Sequence, residues 1–174
     1  SVTPRTAGFN TVDLNSISEP GQYLIITLML IGGAPGSTAG GIKLTTAAVL
    51  LANCISTFRR SEYAHYFGRR ISDETIKSAA TVLMMYVVLF WTGGLAISLI
   101  ERLPMTDCLF ETASAIGTVG LSLGITQSLG TASRAILIAL MFFGRVGGLT
   151  LIYAAVSGRE KVVSMLPQEK ITVG

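Results

Sequence analysis

The sequence predicts an all-α integral membrane fold, and three observations predict it. Half of the residues are hydrophobic and 13% are charged, with a mean hydropathy of +0.61, whereas about a quarter of a soluble domain is charged. The stretch 79–100 (AATVLMMYVVLFWTGGLAISLI) carries no charge and is long enough to cross a hydrocarbon core, which takes about 20 apolar residues. Glycine-rich runs at 32–41 and 117–124 interrupt the remaining apolar segments, so the chain reads as spans, broken spans and re-entrant pieces.

The charges orient these pieces. Arg59, Arg60, Arg69, Arg70 and Lys77 precede the long span, and Arg159, Lys161 and Lys170 lie in the tail; positive-inside reasoning places both regions in the cytoplasm. The chain between them must leave and return. The net charge of +3 is not arranged as a basic groove with interleaved aromatics, which argues against a nucleic-acid partner. Cys54 and Cys108 sit in apolar surroundings with neither metal nor disulfide spacing and read as small buried hydrophobes. The opening SVTPRTAGFNTVDLN is polar, unlike a secretory signal, and the absence of an initiator Met suggests a fragment or a processed piece.

Taken in order, a polar run ends near Pro20, and residues 22–31 (QYLIITLMLI) are apolar but too short to span alone. The run GGAPGSTAGG at 32–41 cannot hold a regular helix, since Gly and Pro are its worst formers. Helical character returns over 44–58. At membrane depth such a break is tolerated only inside protein or facing a water-filled cavity; an ordinary loop between two interfacial helices is the alternative. Ser72 or Asp73 caps the long span, with Asp73 and Glu74 at its positive end. The span ends near Glu101, Arg102 and Pro104. Residues 105–116 follow as a short re-entrant helix, then GTVGLSLG at 117–124, and then the apolar run 135–157. Helix, short helix, glycine turn and helix form a membrane-pore-membrane unit. TAGFN at 6–10 and TVGLS at 118–122 form a weak internal repeat, which makes the first part of the chain the back half of an earlier copy.

The glycine turns carry the chemistry. A helix C-terminus directed at a turn is partially negative, and a turn that aims successive carbonyls at one axis replaces the hydration shell of a cation such as K⁺. A backbone of that kind needs positions without a Cβ penalty, which accounts for Gly8 and Gly120. Thr6 and Thr118 add hydroxyl oxygens. Tight turns without a ligand are the plainer alternative.

RTAGFN (5–10), GGAPGSTAGGIK (32–43), SAIGTVGLS (114–122) and GRVGGLTL (144–151) resemble signature segments of the third and fourth repeats of the Ktr/Trk/HKT potassium-transporter superfamily, nearest the bacterial Ktr-type membrane subunit. The resemblance implies membrane-pore-membrane repeats like a potassium-channel pore, with a re-entrant pore helix and a broken helix. Residues 1–58 become the end of the third repeat, with filter segment 6–10 and a broken inner helix 20–58 holding the intramembrane loop 32–41. Residues 59–77 become a cytoplasmic basic loop. The fourth repeat is 78–157, with outer helix 78–101, pore helix 105–116, filter 117–121 and inner helix 132–157; residues 158–174 are a cytoplasmic tail. Filter residues are then Thr6, Ala7, Gly8, Phe9, Gly117, Thr118, Val119 and Gly120, with potassium held at backbone carbonyls. The loop residues Gly32, Gly33, Gly36, Ser37, Thr38, Gly40 and Gly41 form a gate, although Ser37 and Thr38 also suit plain local bonding to backbone.

Arg145 falls in mid-span, where a guanidinium costs at least about 2.5 kcal/mol and must face a pore or a polar partner. The resemblance implies a barrier below the filter; bonding to helix or loop carbonyls is the structural alternative. Lys43 suits an anchor at the half-helix junction. Asp107 and Glu111 read as solvated charges of the pore helix, with attraction of cations toward the outer mouth as the alternative, and His65 as a solvated loop residue. The functional expectation is selective, gated K⁺ uptake, with symport in the family's range and no enzyme activity or cofactor in this subunit. The implied partners are the remaining N-terminal repeats, a second copy of the membrane subunit, a cytoplasmic ring of nucleotide-binding RCK regulators, and lipid. The implied location is the bacterial inner membrane, with several passes. Two other classes stay open: a broken-helix secondary carrier, and a non-conducting structural subunit.

Overall fold

The computed structural model describes residues 6–11, 13–34, 37, 39–60, 65–66 and 69–146. Its helices are α1 (Glu19–Leu30), α2 (Leu44–Phe58), α3 (Asp73–Glu101), α4 (Met105–Gly117) and α5 (Thr131–Val146), with short 3-10 turns at Leu14–Ser16 and Ile125–Gln127. Gly36, Thr38, the continuation of the expected inner helix over 147–157 and the tail 158–174 lie outside the described residues.

Each helix end has a local cause. Pro20 stands in the first turn of α1 beside Glu19, where Pro costs no hydrogen bond and acid suits the helix dipole. The Gly32-Gly33 pair stops α1. At the start of α3 the Ser72 hydroxyl accepts the Thr75 N–H at 3.4 Å, with Asp73 and Glu74 in the first turn. Arg102, at φ +55°, closes the same helix in a left-handed cap two residues before Pro104.

At 29 residues, α3 is about 43 Å long, and it is the helix long and apolar enough to cross a membrane among those described. It is apolar on both faces. Ala79, Val82, Tyr86, Phe90, Gly93 and Ile97 are buried, while Met84, Val88, Trp91, Leu95 and Leu99 are exposed; the two sets recur every three or four residues and form opposite stripes. Gly93 and Gly94 allow close approach. A methyl at Gly93 would lie 2.8 Å from Leu140 and 3.1 Å from Thr112, and one at Gly94 would lie 2.6 Å from Leu109. Small residues at such crossings let helix backbones pack closely.

The core is α4. Every residue from Cys108 to Gly117 is buried, and α1, α3 and α5 pack around it. A helix of 13 residues is about 20 Å long and cannot cross a core of about 30 Å; this one is enclosed by α1, α3 and α5 from Cys108 onward. Glu101, at the end of α3, accepts the Gly130 N–H at 2.8 Å and the Ser133 hydroxyl at 2.6 Å. It thereby ties the residue before α5 and the first turn of that helix to the end of α3, and fixes where α5 leaves the turn.

Three expectations need correction. Among the described residues the regular structure is helical except for an isolated Ile31–Ile42 bridge and a two-rung antiparallel ladder, β1 (His65–Tyr66) with β2 (Arg69–Arg70), inside the basic stretch read as a loop; pairing this short leaves no hydrophobic pattern to announce it. Cys108 is buried but Cys54 is exposed, because α2 is apolar on faces that the described residues do not cover. Glu111, read as solvated, is buried.

Candidate ion pathway

The two TxG segments meet in space. The group nearest to a methyl built on Gly8 is the Val119 carbonyl oxygen at 2.5 Å, followed by the Gly120 backbone at 3.0 Å. Any side chain at position 8 would strike the backbone of the second segment. Thr6 and Thr118 share a left-handed conformation, at φ +53° and +52°, which non-glycine residues seldom adopt. The copies differ at their glycines. Gly120 stands at φ +85°, whereas Gly8 has no positive φ; position 120 needs glycine for its dihedral and position 8 for contact.

Of the remaining segment residues, Ala7 is half-buried, Phe9 is 88% exposed, Gly117 and Val119 are buried, and Gly120 is exposed. The turn is shaped by the end of α4: the Thr118 N–H donates to Ala115 O at 3.1 Å and the Val119 N–H to Ser114 O at 3.0 Å. Two of the last carbonyls of the helix are therefore taken up by its own C-cap. Gly117 lies against the Met29 carbonyl of α1, which fills the place of a side chain.

The glycine-rich break between α1 and α2 is a closed excursion. Its neck is pinned by the Gly32 N–H donating to Ile42 O at 2.7 Å and the Ile42 N–H donating to Leu30 O at 2.9 Å. Lys43 Nζ donates to Ser37 O at 2.9 Å and Ala39 O at 2.6 Å, the anchoring role expected of it. The Ser37 hydroxyl accepts the Ala39 N–H at 3.2 Å, so of its two readings the local one holds in this conformation. Gly32, Gly40 and Gly41 are buried and Gly33 is half-buried.

The loop touches the second segment directly. The Gly40 N–H donates to Thr118 Oγ1 at 3.1 Å, and a methyl on Gly40 would sit 2.7 Å from that oxygen and 2.9 Å from Ile116 O. Gly144 of α5 packs against the same Ile116 carbonyl, with no room for a Cβ. Gly41, at φ +74°, turns the chain back toward α2.

A cavity of about 480 Å³ opens beside these segments, lined by Thr118, Gly120, Glu111, Leu137, Met141 and Arg145 among others. The structure thus brings Arg145 to the same space as the TVG segment, on an exposed face of α5. Glu111, read as a solvated charge of the short helix, is instead buried. Its carboxylate accepts the Ser122 hydroxyl, the Leu123 N–H at 3.2 Å and the Thr126 hydroxyl at 2.8 Å; an acid in the middle of a short helix, flanked by Phe110 and Thr112, was the signal that could have found its burial.

Comparison with known proteins agrees with this geometry. The family model described as "TrkH: Cation transport protein" matches residues 1–168. Ktr system potassium uptake protein B of Bacillus subtilis is 41% identical over 154 residues, covering 88% of this chain and 35% of that protein. Potassium/sodium uptake protein NtpJ of Enterococcus hirae is 37% identical over 180 residues, covering 100% of this chain and 40% of its own length. The crystal structure of the potassium transporter TrkH from Vibrio parahaemolyticus superposes with a TM-score of 0.72 at 22% identity, over 87% of this chain and 34% of that one, and so shares the fold. The chain therefore spans two fifths or less of the length of these relatives. A family-model match over nearly the whole chain, the Ktr-type relatives and the shared helical fold place this chain in the TrkH/Ktr family of cation transport membrane proteins, which are transporters and not enzymes.

Proposed function

We propose that the complete protein takes up K⁺ across the bacterial inner membrane through a selective, gated pore, and that this chain supplies the end of its third pore repeat and all of its fourth. One observation carries the reading: two TxG segments with matching threonine conformations lie backbone to backbone, with Val119 O against Gly8. Repeats arranged around one axis require such neighbours. Thr6, Ala7, Gly8 and Phe9, together with Gly117, Thr118, Val119 and Gly120, are two quarters of the filter. The missing repeats, a second copy of the subunit and cytoplasmic RCK regulators complete the system.

The loop over 32–41 acts as the gate. Its buried glycines Gly32, Gly40 and Gly41 and the hydrogen bond from Gly40 to Thr118 support a seat directly at the filter. Arg145, sharing a cavity with Thr118 and Gly120, sets a positive barrier that repels cations until the gate rearranges.

K⁺ and Na⁺ uptake into potassium-starved cells expressing the complete protein tests the reading. Gly120→Ser is expected to lose preference for K⁺, because a side chain at φ +85° strains the segment by about 1 kcal/mol or more. Arg145→Ala is expected to raise flux. Wild-type behaviour from both variants would return the carrier and structural classes to the front.

A further inference from the structure

Glu111 is the only buried charged side chain among the described residues, and an isolated ion in such a place is costly unless its oxygens are fully engaged. They are engaged by one segment. The Ser122 hydroxyl and the Leu123 N–H donate to Oε1, and the Thr126 hydroxyl donates to Oε2. The same Ser122 hydroxyl accepts the Gly124 N–H at 2.9 Å and lies 3.0 Å from the Thr126 hydroxyl, so residues 122–126 close into a small network around one carboxylate.

This segment follows Gly120 directly. It has little regular structure of its own, with Gly120 and Gly124 both at positive φ and a single 3-10 turn at Ile125–Gln127. Before it, the Val119 N–H donates to Ser114 O; after it, the Ser128 N–H donates to Ile125 O. Between those two points the hydrogen bonds that fasten the segment to α4 are the ones Glu111 accepts. Bonds to an ionised acceptor are about twice as strong as neutral ones, and α4 is the most enclosed element of the fold. Beside the packing of Leu121 and Leu123 into the core, the hydrogen bonds by which the rigid helix holds the far flank of the TVG turn therefore pass through one side chain.

We infer that Glu111 is a positioning residue for the second TxG segment, and that its tie to Ser122, Leu123 and Thr126 keeps the Gly120 turn in the geometry that separates K⁺ from Na⁺. The inference rests on the filter reading above. Ions of like charge are told apart by where the oxygens stand and how firmly they are held, and a site must be kept within about 0.5 Å by its supporting groups to function. With its oxygens engaged by loop donors, the carboxylate acts on selectivity through the loop.

The test compares K⁺ and Na⁺ uptake, normalised to the amount of protein in the membrane, for the complete protein carrying Thr126→Val, Glu111→Gln, both together, and Gly120→Ser as reference. Thr126→Val keeps shape and removes one donor, so it spares folding. Each of the first two variants is expected to lower the K⁺/Na⁺ uptake ratio by about fivefold, the loss of one typical hydrogen bond. The double variant should fall no further than Glu111→Gln alone, because both act through one contact. A reduced amount of protein with an unchanged ratio in what remains would mean that Glu111 serves folding only, and would overturn the inference. So would unchanged ratios in the first three variants while Gly120→Ser loses selectivity. If Gly120→Ser also keeps the wild-type ratio, the filter reading itself falls and the inference falls with it.

Discussion

Gly8, Gly120 and Gly144 show that one residue type answers three different demands. Gly120 is called for by its positive φ, Gly8 by the Val119 carbonyl beside it, and Gly144 by the Ile116 carbonyl against α5. The motif TVG made Gly120 legible in the sequence, but nothing near Gly144 in the chain reveals a carbonyl that belongs to another helix. Gly144→Ala should force α5 away from α4 and cost about 1–3 kcal/mol, as overpacking of a close contact does; a lowered unfolding midpoint of the purified protein in detergent checks this. Glu111 was misread for a related reason. Its acidity suggests solvent, and only the fold of the post-TVG loop supplies the donors that make its burial tolerable.

Among elements, the break between α1 and α2 was the most legible, because GGAPGSTAGG excludes a helix on propensity alone. Its shape was not. The neck bonds between Gly32, Ile42 and Leu30, and the cap from Lys43, join residues whose pairing depends on how the loop folds back. If the loop is a gate seated on Thr118, Gly40→Ala should unseat it, since the added methyl would lie 2.7 Å from Thr118 Oγ1. Resting K⁺ uptake is then expected to rise about fivefold, the effect of losing roughly 1 kcal/mol of coupling, and tracer flux without an imposed stimulus would measure it. The cap signals at Ser72 and Pro104 act locally and mark the ends of α3, whereas the outer helix implied by the resemblance, 78–101, begins five residues after the observed start at Asp73.

For the whole molecule, the length of α3 and the basic residues before it predict a crossing with Glu74 on the cytoplasmic side and the α4–α5 turn opposite. Single cysteines placed by Glu74→Cys and Gln127→Cys, with Cys54 replaced by Ser, should react with a membrane-impermeant thiol reagent from opposite faces of intact cells; labelling from the same face would reject this topology. Composition, periodicity and two glycine motifs by themselves pointed to a helical fold with one long apolar helix and glycine-rich breaks between shorter ones, since water-to-lipid transfer and helix propensity act residue by residue. Only the tertiary structure decided which faces of apolar helices are buried, that the two TxG segments touch, that Gly40 and Gly144 converge on the end of α4, and that Glu111 in its middle holds the loop after the TVG turn. Helices that are apolar all round leave hydropathy with no side to prefer, and contacts between residues as far apart in the chain as Gly40 and Thr118 exist only once packing has closed the space between them.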